Sequence, residues 1–353
     1  MKIAILAHNK FPIAEPYAGG LEMITHQLVQ SLMERGHEVH LYALSGSDPQ
    51  FDVTSLDIVQ VANNELTEFK MDELMYRNVL EVIESIDYDV VHNHSMHELP
   101  IIWGATSRHK FLTSFHTPVF DSIHAGLTNI FGRDHQERFS VVSGKLGKTY
   151  QHLLPQQEVV YNGIDTAAWN FSGFAEKDKV CWIGRICKEK APHLAIDYAL
   201  KANKKIVLAG PLSNTEYFQE YVAPRLQQDG VEYLGHLKHK ALNRLIGSSE
   251  ATLFTSVWDE PYGLVIAESL ACGTPVISFN VGAAPEILTE ETGFLVELQD
   301  EKSFVSAIKY CTKLNRKDCR ERAIKFCDKT QMVDAYEAIY KEMIADKLKK
   351  IAV

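Results

Sequence analysis

Long hydrophobic runs are missing from this sequence of 353 residues. A membrane-spanning helix needs about 18 or more consecutive apolar residues, so we expect no membrane span. Hydrophobic residues make up 46% of the chain and charged residues 23%, proportions that are typical of a water-soluble globular protein. At this length, two domains are expected.

Closely spaced cysteine pairs are also missing, because none of the six cysteines is part of a CxxC motif. CxxC motifs mark many zinc and redox sites. We therefore predict reduced, mostly buried thiols in a cytoplasmic protein. The six residues are Cys181, Cys187, Cys272, Cys311, Cys319 and Cys327.

Positive charge is scarce in the first half of the chain. Residues 1–165 contain 11 basic and 21 acidic side chains, whereas the rest contains 25 of each, and the net charge is -10. Nucleic acids and anionic lipids bind basic surfaces. The imbalance therefore argues against both as partners.

Strand patterns alternate with helical patterns along the chain, which predicts parallel sheets with helical crossovers. A turn signal, NGID at 162–165, and a polar stretch at 167–179 divide the pattern into two halves. The predicted fold class is therefore α/β, with two doubly wound Rossmann-like domains, at 1–166 and 167–335, facing across a cleft. The predicted strands are residues 2–7, 37–43, 89–92, 111–116, 139–143, 180–184, 205–209, 231–234, 251–255 and 275–278.

Residues 259–268 contain the most informative pattern, DEPYGLVIAE. They follow a hydrophobic run and begin an apolar helical pattern, which predicts a strand, a loop and a helix N-terminus. A helix N-terminus presents free N–H groups and partial positive charge, which suit a phosphate. Glu260 would precede the helix and Glu268 would lie more than one turn inside it, so a nucleotide sugar could meet a carboxylate at each end. A helix cap and a solvated helix face are the alternative.

This pattern resembles the Glu-x7-Glu motif of the retaining glycosyltransferases of family 4, written E-P-(F/Y)-G-L-V-x-x-E-A-(L/M)-A-x-G-x-P-V-I. Residues 260–277 match nearly every position, with Ser269 in place of the usual alanine. The resemblance implies the GT-B fold and a hexosyltransferase that uses no metal and no cofactor. It also implies a C-terminal helix, at 336–353, that packs back on the N-terminal domain.

The resemblance assigns the donor-binding residues. It implies that Glu268 accepts hydrogen bonds from the ribose hydroxyls and that Glu260 accepts them from the transferred sugar. It further implies that backbone groups after Glu260 face the distal phosphate, and that the turn at 235–237 reads the nucleobase edge. The other predicted donor-binding residues are Gly19, Gly20, Gly184, Gly235, His236, Leu237, Tyr262, Gly263, Leu264 and Val265.

Residues 184–190, GRICKEK, resemble the family phrase G-R-x-x-x-x-K-G. The resemblance implies that Arg185 and Lys190 hold the diphosphate and stabilise the negative charge on the leaving group. A surface ion pair between Arg185 and Glu189 is the alternative. The chain has Ala191 where the family has glycine.

Gly19 and Gly20 lie between the first strand and the first helix, where glycine lets the backbone approach a phosphate. The matching loop of the family contacts the donor diphosphate. His116 ends a strand and matches a histidine that lies against the donor sugar in relatives, and a purely structural histidine is the alternative. The predicted catalytic residues are Arg185, Lys190, Glu260 and His116.

His92, His94 and His97 form the pattern HxHxxH. A metal site is one interpretation. The other is a strand end of the kind that the family writes as D-(V/I)-(V/I)-H-x-H. We favour the second interpretation, in which these residues line the acceptor side of the cleft.

The sequence shows no pair of a nucleophile and a general base. The resemblance implies a retaining route in which the departing phosphate takes the acceptor proton, whereas inversion would need a base such as His116. We predict sugar transfer from a nucleoside-diphosphate sugar, with UDP favoured by family prevalence, to a soluble small-molecule or glycan acceptor. The alternatives are a nucleotide-sugar epimerase or hydrolase of the same fold, and a non-catalytic nucleotide-sugar-binding module.

Overall fold

The computed structural model describes residues 1–57 and 67–351 and divides the chain into two compact units. The first unit consists of Met1–Gly163 together with Lys329–Val353, and the second consists of Ile164–Asp328. The first boundary thus lies three residues before the predicted one, and the chain returns to the first unit at Lys329. Residues 352 and 353, part of the predicted C-terminal helix, lie outside the described residues.

The first unit contains a seven-stranded parallel sheet with the strand order β3-β2-β1-β4-β5-β6-β7. Helices connect most of the strands, as parallel crossovers require. The strands are β1 Lys2–Leu6, β2 Glu38–Ala43, β3 Asp52–Ser55, β4 Val90–Asn93, β5 Lys110–Phe115, β6 Arg138–Val141 and β7 Glu158–Val159. The helices are α1 Gly20–Glu34, α2 Glu68–Ser85, α3 Glu98–Gly104, α4 Asp121–Ile130 and α5 Gly144–Tyr150.

The second unit contains a six-stranded parallel sheet with the order β10-β9-β8-β11-β12-β13. Its strands are β8 Lys179–Ile183, β9 Lys205–Ala209, β10 Val231–Tyr233, β11 Thr252–Phe254, β12 Val276–Phe279 and β13 Gly293–Val296. Its helices are α6 Pro192–Lys201, α7 Thr215–Tyr217, α8 His239–Gly247, α9 Leu264–Ala271, α10 Ala284–Ile287, α11 Glu301–Tyr310 and α12 Arg316–Arg322.

The central strands are nearly continuous hydrophobic runs because helices cover both faces of each sheet. In β1, Ile3, Ala4, Ile5 and Leu6 are all fully buried. In the second unit, the corresponding core is built around Val180 and neighbours from β9, β11 and α6. These runs are the reason why the strands could be predicted from the sequence.

The last helix, α13 (Lys329–Ile351), packs on the first unit and contacts α1. Tyr336 and Tyr340 on this helix are fully buried. Polar contacts hold the exposed side of the helix, with the Arg35 guanidinium 2.6 Å from the Asp334 carboxylate.

The predicted α/β fold with two parallel, helix-flanked sheets is confirmed. All ten predicted strands are present, and three further strands, β3, β7 and β13, were not predicted. All three lie at an edge of a sheet and none is buried along its whole length, so they lack the fully buried apolar run of the central strands. Within the described residues, no helix is both long enough and apolar enough to cross a bilayer.

Candidate active site

The strand order of the second sheet changes direction between β8 and β11. In parallel sheets, ligands bind beyond the carboxyl ends of the strands at such a point. The segment after β8 contains Gly184, Arg185 and Lys190, and the segment after β11 contains Glu260. The topology therefore brings the two predicted motifs to one edge of the sheet, although Lys190 and Glu260 lie 70 residues apart.

Hydrogen bonds fasten these two segments to each other. The Val257 N–H donates to the Glu189 carbonyl at 2.9 Å, and the Ser256 hydroxyl reaches the same oxygen at 3.3 Å. The Thr255 hydroxyl lies 3.1 Å from the Lys190 carbonyl oxygen. The backbone around Lys190 is thus held against the end of β11.

Lys190 and Glu260 form a direct ion pair in which the ammonium contacts the carboxylate oxygen Oε1. The Lys190 side chain is 18% exposed and the Glu260 side chain 8% exposed. Burial, and then the charge of Arg185, lower the pKa of Lys190 to about 8, and the charges of Cys187 and Glu189 act in the opposite direction. The two predicted catalytic side chains therefore meet without a ligand.

Arg185 lies beside them but is half exposed, with its guanidinium 3.6 Å from the Glu189 carboxylate. This is the surface ion pair that the sequence left as the alternative. Exposed pairs of this kind are worth between zero and about 1 kcal/mol. The guanidinium is therefore available to a stronger anionic partner.

Ala191 adopts the left-handed conformation that glycine would take at this position, with φ 45° and ψ 51°. A side chain in this region is strained because Cβ crowds the backbone. Pro192 follows as the first residue of α6, where proline fits because no intrahelical donor is lost. Ala191, which replaces the glycine of the family phrase, thus keeps the backbone conformation that favours glycine.

Helix α9 begins directly after Gly263, whose φ of 98° is in the range that favours glycine. Leu264 and Val265 form its first turn, so their N–H groups belong to the set without intrahelical acceptors. Tyr262 is only 2% exposed. Its ring therefore packs in the interior, and only its backbone is placed to contribute to a ligand site.

Glu268 lies on α9, where it is 8% exposed. Burial raises the pKa of its carboxyl group to about 7. Because the side chain is buried, the alternative of a solvent-facing helix position is wrong. The carboxyl group lies in the interior, in an environment that favours its neutral form.

Gly282 fixes the backbone of the Glu260 loop. Its φ is 56°, and a Cβ at this position would lie 2.4 Å from both the backbone N and O of Glu260. The Ala283 N–H donates to the Glu260 carbonyl at 3.0 Å, and the Gly282 N–H donates to Asp259 at 2.9 Å. Glu260 therefore extends from a backbone that has little freedom to move.

The segment predicted to read the nucleobase follows β10. Gly235 has a φ of 69°, and its carbonyl accepts the Gly210 N–H at 2.8 Å. His236 is exposed and Leu237 is partly exposed. On the neighbouring strand β9, the Ala209 carbonyl accepts the N–H of Gly184, which follows β8, at 3.0 Å.

In the first unit, Gly19 and Gly20 lie at the start of α1, as predicted from their position before the helix. Glu22 in the first turn pairs with His8, with Oε1 and Nε2 3.0 Å apart. A Cβ on Gly19 would lie 3.0 Å from the Glu22 carboxylate. The absence of a side chain at Gly19 thus leaves room for this carboxylate.

His116 directly follows β5 and is 9% exposed. Neither of its ring nitrogens has a hydrogen-bond partner among the described residues. Burial, and then the charge of His8, lower its pKa to about 3. His116 is therefore neutral near pH 7, and its ring lies 4.9 Å from that of His94.

His92 and His94 are fully buried, and burial lowers the pKa of both well below the usual histidine value. The His92 ring nitrogens lie 2.6 Å from the Tyr340 hydroxyl and 2.6 Å from the Ser114 hydroxyl. The His97 side chain caps α3 by accepting the Leu99 N–H at 3.1 Å. Across residues 1–57 and 67–351, no group of three His, Cys, Asp or Glu side chains is arranged to hold a metal.

Trp258 is a site residue that the sequence analysis missed. Its ring centroid lies 5.6 Å from the Lys190 ammonium, within the range of a cation–π contact. The signal was present, because one of only four tryptophans lies two positions before Glu260. It was missed because nothing in the sequence shows that Lys190 comes close.

Two family models match nearly the whole chain. The model described as Glycosyltransferase Family 4 matches residues 18–168, and the one described as Glycosyl transferases group 1 matches residues 167–326. The chain belongs to the family 4 glycosyltransferases. This glycosyltransferase is therefore an enzyme, as the resemblance implied.

Curated relatives span the same length as this glycosyltransferase. Spore coat protein SA of Bacillus subtilis is 23% identical, with 92% of this chain and 93% of the relative covered. N-acetyl-alpha-D-glucosaminyl L-malate synthase of Bacillus anthracis is 25% identical, with 94% and 96% covered.

Solved structures share the fold. Sucrose-phosphate synthase of Thermosynechococcus elongatus has a TM-score of 0.78 at 17% identity, covering 98% of this chain and 100% of its own. Anabaena HepE in complex with UDP has a TM-score of 0.75 at 16% identity, covering 97% and 100%. Together they confirm the GT-B fold class for this glycosyltransferase.

Proposed function

We propose that this glycosyltransferase moves a sugar from a UDP-sugar to an acceptor hydroxyl, with retention at the anomeric carbon and without a metal ion. The observation that carries the proposal is the position of the Lys190–Glu260 pair just before α9, with Glu268 inside the same helix. This arrangement offers a cation and a helix N-terminus for the diphosphate, one carboxylate for the sugar and one for the ribose.

The chemistry needs charge stabilisation at the leaving group. The bond between the anomeric carbon and the diphosphate oxygen breaks, and its electron pair stays on that oxygen. Arg185, Lys190 and the first N–H groups of α9 would stabilise the new negative charge. The acceptor oxygen bonds to the anomeric carbon on the same face, and its proton passes to the departing phosphate.

The protonation state of His116 supports retention at the anomeric carbon. Inversion needs a base near the acceptor hydroxyl, and a general base works best with a pKa near the operating pH. A neutral histidine with a pKa of about 3 is a weak base near pH 7. It can still donate a hydrogen bond to a sugar hydroxyl through its N–H group.

Several observations support the remaining parts of the proposal. The structurally similar HepE has a solved structure in complex with UDP, and this favours UDP as the nucleotide. The acidic first half of the chain favours a soluble small-molecule or glycan acceptor. The six cysteines are all free and buried, which favours a reducing, cytoplasmic location.

A panel of nucleoside-diphosphate sugars tests the donor. We expect one UDP-sugar to raise the midpoint of thermal unfolding, because a ligand that binds only the folded state stabilises it. The stabilising donor is then incubated with and without acceptors. Release of UDP and sugar without any acceptor would indicate a hydrolase, a changed nucleotide sugar would indicate an epimerase, and binding without turnover would indicate a binding module.

The metal-free mechanism predicts that EDTA leaves the transfer rate unchanged, because protein cations and helix N–H groups carry the leaving-group charge. The measurement is the initial rate in EDTA, compared with the rate in Mg²⁺ and in Mn²⁺. A rate that is lost in EDTA and restored by a divalent ion would contradict the proposed mechanism. NMR of the product at the anomeric position determines retention or inversion.

A further inference from the structure

The lysine assigned to the diphosphate is occupied by another residue of the enzyme. Lys190 contacts the Glu260 carboxylate directly, and both side chains are largely buried. In the proposed reaction, however, Lys190 binds phosphate and Glu260 binds sugar hydroxyls. When a donor binds, a phosphate and the Glu260 carboxylate therefore compete for the N–H donors of Lys190.

We propose that Glu260 competes with the diphosphate for Lys190. The Lys190–Glu260 pair separates at low cost only when the hydroxyls of the donor sugar form hydrogen bonds with the Glu260 carboxylate. Bare UDP would satisfy Lys190 but leave the Glu260 carboxylate buried without a partner, next to two phosphates. The pair thus makes the site select the sugar-bearing nucleotide over the nucleoside diphosphate. This inference rests on the function proposed above.

Both backbones are fixed, so the competition takes place between side chains. The Lys190 carbonyl is held by Thr255, and the Glu260 carbonyl is held by the Ala283 N–H. The Gly282 backbone lies directly against that of Glu260, since a Cβ added to Gly282 would be 2.4 Å from the Glu260 N and O atoms. The two charges therefore cannot be separated by a movement of their loops without breaking these contacts.

Trp258 gives Lys190 a second favourable contact. The ammonium lies 5.6 Å from the ring centroid, and a ring face attracts a cation without neutralising it. When the Lys190 ammonium turns from Glu260 towards a phosphate, the Trp258 ring can stay beside it. The lysine is thus held near the diphosphate position in both states.

Separating the pair is unfavourable because the Glu260 carboxylate then stays buried without its partner. Removing one member of a buried ion pair is strongly unfavourable because the other charge stays buried and uncompensated. Sugar hydroxyls can donate to the Glu260 carboxylate and offset that cost, whereas the ionised terminal phosphate of bare UDP offers only acceptor oxygens. The same argument implies that UDP leaves readily after transfer, since Glu260 then recovers Lys190.

The test is calorimetric measurement of UDP affinity for the full-length wild type, Glu260→Gln, Lys190→Gln and the double variant. We expect Glu260→Gln to bind UDP about tenfold more tightly than the wild type, because the competitor has lost its charge. In the Lys190→Gln background, the same change should alter UDP affinity by less than about twofold. This dependence on Lys190 separates competition from general repulsion between Glu260 and phosphate.

Glu189→Gln is the matched control, because it removes a carboxylate from the turn that carries Lys190, where Glu189 forms an exposed pair with Arg185. We expect less than about a twofold change in UDP affinity there. Thermal unfolding shows whether each variant is folded. If Glu260→Gln does not fold, Glu260→Asp replaces it, because aspartate withdraws the carboxylate by one methylene. Glu260→Asp should also tighten UDP binding.

Two results would overturn the inference: UDP affinity that is equal or weaker in folded Glu260→Gln, or an equal gain with and without Lys190. Failure of the wild type to bind UDP is a different result. It would reject the proposed donor nucleotide, and this inference with it.

Discussion

Glu268 is a carboxyl group whose surroundings oppose its charge, since burial raises its pKa from 4.5 to about 7. A folded-state pKa above the unfolded one means that this group stabilises the fold fully below pH 4.5. That contribution is lost as the pH rises through about 7. An ionised Glu268 therefore destabilises the free enzyme and, in the proposed function, is retained because the ribose needs an acceptor.

Glu268→Gln should raise the stability of the free enzyme and weaken UDP binding at the same time. Glutamine cannot ionise, so at pH 8 the gain in unfolding free energy should be up to about 3 kcal/mol, and near pH 4.5 it should vanish. Loss of a carboxylate acceptor for the diol should weaken UDP binding about tenfold. Thermal unfolding at both pH values and calorimetry with UDP measure the two effects.

Glu250→Gln is the control for this prediction. Glu250 is equally buried in the same unit but lies 2.6 Å from the Lys204 ammonium, so its neutral replacement should destabilise the protein. A destabilised Glu268→Gln at pH 8 would contradict the assigned environment, and unchanged UDP binding would contradict the assigned role.

UDP affinity should follow a bell-shaped dependence on pH, with its maximum between about pH 7 and pH 8. Below this range Glu268 takes up a proton and loses acceptor capacity, and above it Lys190 loses its positive charge. Lys190→Arg should move the alkaline limb upwards, because arginine stays charged. An alkaline limb at the same pH in Lys190→Arg would show that another group causes it.

At the scale of elements, the loop that carries Glu260 depends on a glycine from the segment after β12. Gly282 combines a left-handed backbone with a Cβ position that overlaps the Glu260 backbone. Any side chain here must displace the loop between β11 and α9. The position of Glu260 is thus determined by a residue 22 places further along the chain.

Gly282→Ala should lower the transfer rate at least about tenfold, because a displacement of about 1 Å in a reacting group can cost a hundredfold. The strained backbone should also reduce the unfolding free energy by about 1 to 3 kcal/mol. Gly132→Ala is the control, since Gly132 has a φ of 73° and open space where Cβ would be. It should show the loss in stability without the loss in rate. Equal rates for both variants would mean that the loop tolerates displacement.

The sequence was sufficient for the strands and for the motifs at their ends, but not for the pairing of side chains. Buried parallel strands such as β1 and β12 consist of apolar runs that can be recognised locally. The contact between Lys190 and Glu260 depends on β8 and β11 being neighbours in the sheet, which local patterns do not determine. For the same reason, the sequence offered the Arg185–Glu189 pair as an alternative, because these residues lie four positions apart, but gave no sign that Lys190 pairs with Glu260.

At the scale of the whole molecule, the two units differ in how the chain builds them. The second unit is one continuous segment, Ile164–Asp328, whereas the first needs Lys329–Val353 in addition to Met1–Gly163. Helix α13 supplies buried side chains to the first unit, among them Tyr336, Tyr340 and Met343. The Tyr340 hydroxyl also pairs with His92.

A fragment of residues 164–328 should therefore fold alone, whereas a fragment of residues 1–163 should not. Each large apolar side chain contributes about 1.5 to 3 kcal/mol when buried, and several such losses exceed the margin of about 5 to 15 kcal/mol by which domains are stable. Cooperative thermal unfolding followed by circular dichroism distinguishes the outcomes. A cooperative transition for residues 1–163 would contradict the structural role given to α13, and restored folding on adding residues 329–351 would support it.

The route of the chain also has a consequence during synthesis. Protein is made from the N-terminus, and domains usually become structured as soon as their residues have left the ribosome. Here the unit that is translated first is completed last, after the entire second unit has emerged. Until α13 has been synthesised, the apolar surface that it covers is exposed and accessible to chaperones, so the first unit of the nascent enzyme stays incomplete.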